Sequence, residues 1–312
     1  MARVEDLRIE LADRTLAARA WGDRAQPPML ALHGWLDNAG SFERLAPLLA
    51  ETHYVVALDL KGHGRSSHAA RGGWYHYVDY FDDLRATFDH FGWTRATWLG
   101  HSLGGTLASL FAALYPDCFD ALLLIEALGP LTIAPEQTLE QLRRGLDERA
   151  AFARRRPLRV FPDIDAAIAV RVAASGISEQ AARALIERGV EAVDGGYVWS
   201  SDPRLTLASP QRYTEAQVLA MLSGIRAPTL LMLAEPATSY LPDSMMAPRI
   251  ACVRDIEVVR VAGNHHLHLE EPRTVFEVVE RFLVGLPERT RAISPLPPAG
   301  EAARRAGEGN SE

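Results

Sequence analysis

The run Gly100-His101-Ser102-Leu103-Gly104 follows the apolar stretch Ala96-Thr97-Trp98-Leu99 and leads into a small-residue segment from Gly105 to Tyr115. These residues predict a buried strand that stops at a glycine-flanked serine and turns at once into a helix. Such a junction permits few folds. The serine must occupy a sharp, strained turn, so the residues two places to either side have to be small; Gly100 and Gly104 let strand and helix approach. The serine Oγ is then exposed above the strand ends, beside a helix N-terminus whose free N–H groups and partial positive charge suit a developing oxyanion. This is the pattern of a nucleophile elbow, and the strand before it and helix after it give the five residues their meaning.

Short apolar strands alternate with helical stretches on both sides of the elbow. Strands are predicted at 7–12, 15–21, 29–32, 55–58, 96–99 and 121–125, with helices at 41–49, 77–91 and 105–115. Strands of about five residues between helices indicate an α/β fold, its mostly parallel sheet covered by helices on both faces. The alternation breaks after Gly129-Pro130. Helices are expected over 137–155, 164–174 and 178–188, loops at Gly195-Gly196 and Asp202-Pro203, and a short helix at 214–222. Strands return at 229–233 and 257–261, before a helix over 272–286. The expected organisation is a core over 1–130 and 214–286 with a helical cap inserted at 131–213. A second independent domain is the alternative, but both flanks complete one alternating pattern. Residues 287–312, rich in Pro, Gly, Ala, Glu and Arg, are expected to be disordered.

Composition excludes several classes. A net charge of −7 gives no footprint for nucleic acid. Two cysteines, Cys118 and Cys252, do not make a disulfide framework. The N-terminal residues carry early acids rather than the apolar run of a secretory signal, and no stretch approaches the roughly 18 apolar residues of a membrane span. A cytoplasmic protein with no membrane span and no nucleic-acid partner is expected.

Four motifs carry a resemblance. They are His33-Gly34-Trp35-Leu36-Asp37-Asn38, Asp59-Leu60-Lys61-Gly62-His63-Gly64-Arg65-Ser66, Gly100-His101-Ser102-Leu103-Gly104-Gly105 and Gly263-Asn264-His265-His266-Leu267-His268. Over roughly residues 5–286 the chain resembles the α/β-hydrolase superfamily, in particular the capped serine hydrolase-like proteins. The resemblance implies an α/β-hydrolase fold and a catalytic Ser102.

Serine is a weak nucleophile unless a base lies within hydrogen-bond reach. The resemblance puts that base after the last strand, which selects His265, with His266 and His268 as competitors. A metal site on these three histidines lacks Cys or carboxylate partners at supportive spacing, so neither metal nor cofactor is expected. The acid that orients the histidine is less plain. Most relatives carry an aspartate shortly after the strand at 229–233, but Ala237 stands at that position. A minority, including some haloalkane dehalogenases, take the acid from the strand after the nucleophile helix, and here that strand ends in Glu126. Glu126 also closes a run of five apolar residues, where an unpaired carboxylate would be costly. Glu126 is therefore the expected acid, with Glu235 and Asp243 as alternatives.

The backbone N–H groups of Trp35 and Leu103 are the expected oxyanion donors. The plainer reading of His33-Gly34-Trp35 is a strand end with a surface aromatic. His101 is assigned to packing. The Asp59 loop lacks both the G-x-G-x-x-G and Walker patterns, and the resemblance implies that Asp59 tethers turns. Trp74, Tyr75, Tyr77 and Tyr80 are expected to pack on the core, and Arg154-Arg155-Arg156 to form a solvated helix end. Together these readings imply a serine esterase acting on a small or medium apolar ester. Carbon–carbon bond hydrolysis, acyl transfer and ligand capture without turnover are the alternatives.

Overall fold

The computed structural model describes residues 3–152 and 159–287. Arg154-Arg155-Arg156, the end of the helix expected over 137–155 and all but the first residue of the 287–312 tail lie outside the described residues. The apolar runs before the elbow become β1 (Val4–Glu10), β2 (Thr15–Trp21), β3 (Pro28–Leu32) and β4 (Tyr54–Leu58). The elbow strand is β5 (Ala96–His101), followed by β6 (Phe119–Ile125). A separate hairpin joins β7 (Val190–Val193) to β8 (Gly196–Trp199), and β9 (Thr229–Glu235) and β10 (Ile256–Ala262) complete the strands. The main sheet runs β1-β2-β4-β3-β5-β6-β9-β10. It is antiparallel at β1, β2 and β4 and parallel elsewhere.

Residues alternate between the two faces of this sheet. Leu30, Leu32, Trp98, Leu122, Leu124 and Leu231 pack into one apolar cluster. Their neighbours Met29, Ala31, Leu99, Leu123, Ile125 and Met232 pack into the other. A strand buried on both faces reads as a continuous apolar run, which is why the sequence marks these strands clearly. The chain places β4 on one side of β3 and then β5 on the other. The strand ends around this reversal form the crevice in which open α/β sheets bind ligands.

The helices are α1 (Ala46–Leu49), α2 (Tyr77–Phe91), α3 (Leu103–Leu114), α4 (Thr138–Phe152), α5 (Ile164–Ser175), α6 (Glu179–Gly189), α7 (Glu215–Leu222), α8 (Asp243–Cys252), α9 (Leu267–Glu270) and α10 (Pro272–Gly285). The helix expected over 41–49 is divided into a 3-10 turn at Ala39–Phe42 and α1. Pro47 has no N–H to donate and is suited to a first helical turn, so a helix restarts there. The β7–β8 hairpin and α8 were not expected. The hairpin strands are short and largely half-buried or exposed, while α8 carries Pro248 in its interior.

Residues 131–213 add no strand to the main sheet among the described residues. They hold α4, α5, α6 and the hairpin, with an apolar cluster that includes Phe161, Ile168, Leu185 and Ile186 and takes in Leu269 from outside the segment. A buried ion pair helps tie them to the sheet. Asp59, at the end of β4, accepts the N–H groups of Ala39 at 2.7 Å and Arg65 at 2.9 Å. It also takes the Arg188 Nε at 2.9 Å, and both side chains are almost completely buried. Arg188→Ala would leave a buried carboxylate without its cation, a loss of about 3–5 kcal/mol. The exposed pairs of Arg183 predict less than about 1 kcal/mol for Arg183→Ala, and urea unfolding of the two variants checks the contrast.

Candidate active site

Ser102 stands between β5 and α3 with φ 50° and ψ −112°, a conformation a side chain adopts only under constraint. Its N–H donates to the Ile125 carbonyl at 3.0 Å, and its carbonyl accepts from Thr106 at 2.9 Å. The glycines around it are sterically required. A Cβ on Gly100 would come within 2.6 Å of the Gly105 Cα, and one on Gly104 would overlap the Leu32 carbonyl. Strand and helix therefore meet closely enough to leave the serine at the apex.

Glu126 follows β6 with φ 55° and is buried. Its Oε1 accepts the Ala234 N–H at 2.6 Å, and its Oε2 accepts the Thr238 hydroxyl at 3.0 Å. His265 Nδ1 lies 3.1 Å from the same Oε2. A carboxylate only accepts, so this pairing puts the His265 proton on Nδ1 and leaves the Nε2 lone pair free. Three donors balance the desolvation of the buried acid. The two alternative acids lie elsewhere: Glu235 and Asp243 are exposed and both pair with Arg260. Ala234 near the end of β9 and Thr238 in the loop after it supply two of the donors to Glu126.

The loop bearing His265 is fixed to the elbow by His101, whose Nε2 donates to the His265 carbonyl at 2.9 Å. The two rings are 4.7 Å apart. Ser102 and His265 thus sit at the same strand ends, with no hydrogen bond between their side chains among the described residues. Unliganded sites often close that contact only with substrate. Among the described residues no acceptor meets the N–H of Trp35 or of Leu103, so both expected donors are free. The Trp35 indole is half-exposed and donates to the Leu205 carbonyl at 3.0 Å. Tyr240 stands edge-on to His265 at 5.1 Å, and burial together with the nearby Glu126 charge raises its hydroxyl pKa.

The competing histidines have other partners. His268 is buried with Nε2 2.7 Å from Ser41 Oγ, and His266 Nε2 lies 3.6 Å from Asp37. No group of three or more His, Cys, Asp or Glu side chains among the described residues is arranged to hold a metal ion. Trp74 stacks under Arg149, Tyr75 donates to Asp202, and Tyr80 is buried in the core. Sequence reasoning missed Asp37 and Arg171. Asp37 is buried; burial works to raise its pKa, yet Arg171, His266 and His101 hold it well below the usual carboxylate range. A lone arginine in the apolar run from Ile168 to Ala174 was the available signal, because such a charge needs a partner.

A mostly parallel sheet with a strained serine at a strand–helix apex, and a histidine–carboxylate pair contributed from after β10 and β6, defines an α/β hydrolase. The family profile described as "alpha/beta hydrolase fold" matches residues 27–166. A serine hydrolase-like protein of Danio rerio is 35% identical over 86% of this chain and 85% of its own length. Serine hydrolase-like protein 2 of Homo sapiens is 31% identical over 90% of this chain and 94% of its own. The crystal structure of a hypothetical protein from Pseudomonas aeruginosa PAO1 superposes with a TM-score of 0.83 at 38% identity, covering 89% of this chain and 98% of that one. The chain belongs to the α/β-hydrolase superfamily and, within it, to the serine hydrolase-like proteins. No helix among the described residues is long and apolar enough to cross a membrane.

Burial lowers the pKa of His33 to about 4 and that of His268 to about 3, from an ordinary 6.5. Between those values and pH 6.5 the unfolded chain takes up protons that the folded chain refuses, so stability falls as the pH drops through this window. Each histidine is expected to contribute roughly 2 kcal/mol of loss at pH 5 relative to pH 8. Burial also lowers the pKa of His53 to about 4, of His63 to about 3 and of His101 well below 6.5. The loss measured by urea unfolding at the two pH values should therefore exceed the share of His33 and His268, whose ring resonances should remain those of neutral imidazole at pH 5.

Proposed function

We propose that this hydrolase is a serine carboxylic ester hydrolase working through Ser102, His265 and Glu126. The observation that carries the reading is the pairing of buried Glu126 with half-buried His265, which leaves the Nε2 lone pair free on a histidine held beside the elbow. Ser102 Oγ attacks the acyl carbonyl while His265 Nε2 takes its proton, and the Trp35 and Leu103 N–H groups hold the oxyanion. The tetrahedral intermediate expels the alcohol, which leaves with the proton from His265. Water then attacks the acyl-enzyme, giving its proton to His265, and Ser102 recovers a proton as the acid departs. No step calls for a cofactor. Residues 131–213 act as the cap, and the half-exposed Trp35 indole, anchored to that segment, supports a mainly apolar pocket for small or medium esters.

p-Nitrophenyl esters of increasing acyl length test this reading. Wild type is expected to release nitrophenol with a preference for short or medium chains, and Ser102→Ala to abolish turnover. Glu126→Gln should lower kcat on the order of 10⁴-fold, as expected when the histidine loses its orienting anion, while Glu235→Gln stays near wild type. Ligand binding without turnover in the wild type would favour a capture protein on this scaffold. Collapse of kcat in Glu235→Gln alone would move the acid role there.

A further inference from the structure

The turn that carries the Trp35 N–H is held from outside the sheet at three points. The Trp35 indole donates to the Leu205 carbonyl at 3.0 Å, and Asn38 Nδ2 donates to the Leu185 carbonyl at 2.8 Å. Between them Arg171, from α5, donates Nη1 to the Leu36 carbonyl at 3.3 Å and Nη2 to Asp37 Oδ1. All three partners belong to residues 131–213. Leu36 has φ 61°, so the turn contains a leucine in a left-handed conformation that its surroundings must enforce. Arg171 bridges that carbonyl and the next side chain with one planar fork, a geometry lysine cannot reproduce.

Asp37 extends this clamp across the site. Its Oδ2 lies 3.6 Å from His266 Nε2 and 3.7 Å from His101 Nδ1. His101 in turn donates to the carbonyl of His265. A single buried carboxylate therefore faces both the turn that offers the Trp35 amide and the loop that carries the base, and its full cation comes from the inserted segment.

We propose that Arg171 is a positioning residue for the oxyanion site, clamping the Trp35–Asp37 turn so that the Trp35 N–H is aimed at the developing oxyanion. The clamp rests on the serine-hydrolase reading. It makes the inserted segment part of the catalytic apparatus: the oxyanion site is complete only with α5 docked on this turn. Arg171 acts through Leu36 and Asp37 and needs no contact with substrate.

A misaimed donor weakens binding of the transition state more than that of the ester, so Arg171→Ala is expected to lower kcat by about 10–100-fold with KM within about twofold. Affinity for an alkylboronic acid, which forms a tetrahedral adduct on the serine, should fall by a similar factor. Added guanidinium should restore part of the lost kcat. Arg171→Lys keeps the charge beside Asp37 but cannot span both acceptors, and should be intermediate; it carries the test if Arg171→Ala does not fold. A structural role alone would lower the melting temperature or the number of titratable sites while leaving kcat per site and boronate affinity unchanged. That result in an active wild type would overturn the clamp and leave the hydrolase reading standing. A wild type that neither turns over esters nor binds the boronate would overturn both.

Discussion

The close approach of β5 and α3 is the constraint on which the site depends. Gly100 faces Gly105 and Gly104 faces the Leu32 carbonyl, both at distances that exclude a Cβ. Strand β5 is central in the sheet, between β3 and β6, so this contact puts Ser102 at the reversal of strand order. The same packing leaves Leu103 at the first position of α3, with its N–H outside the helix's own hydrogen bonds. The strained serine and the free amide are two consequences of one tight crossing. The proposed partners of Ser102 follow other strands of the same sheet: Trp35 after β3, Glu126 after β6 and His265 after β10, the edge strand.

Electrostatics in this crevice rests on two buried carboxylates with different company. Glu126 is held by hydrogen bonds from a backbone N–H, a hydroxyl and an imidazole, and among the described residues no arginine or lysine pairs with it. In the proposed mechanism a strong cation there would compete for the charge that stabilises an imidazolium on His265. Asp37 has the opposite arrangement, an arginine fork on one oxygen and histidines facing the other. It binds elements together. The Asp59–Arg188 pair repeats that pattern at the end of β4, so two core aspartates take their cations from α5 and α6. These contacts fasten α5 and α6 to the ends of β3 and β4.

Much of this was legible in the sequence because the physical signals are local. Strands buried on both faces have to be apolar throughout, and a turn as tight as the elbow has to be flanked by glycine. That Glu126 would be buried and need donors was legible as well, since it closes a buried strand. The histidine choice drew on position after the last strand, and His266 and His268 now have separate partners in Asp37 and Ser41. What escaped was non-local. Asp37 and Arg171 are 134 residues apart, and nothing near either residue names the other. The β7–β8 hairpin gave little apolar alternation, and Pro248 masked α8. Thr238 was invisible for another reason: its hydroxyl serves an acid on a different strand, in a loop noted only for the aspartate it lacks.

The central claim is that the Glu126–His265 pair makes Ser102 nucleophilic, and covalent capture tests it most directly. Wild type and His265→Ala would be treated with a fluorophosphonate at neutral pH, digested, and the modified peptide identified by mass spectrometry. A single adduct on Ser102 is expected, forming rapidly in the wild type and suppressed by at least about 10³-fold in His265→Ala. An adduct on another residue, or equal labelling of Ser102 in both proteins, would contradict it.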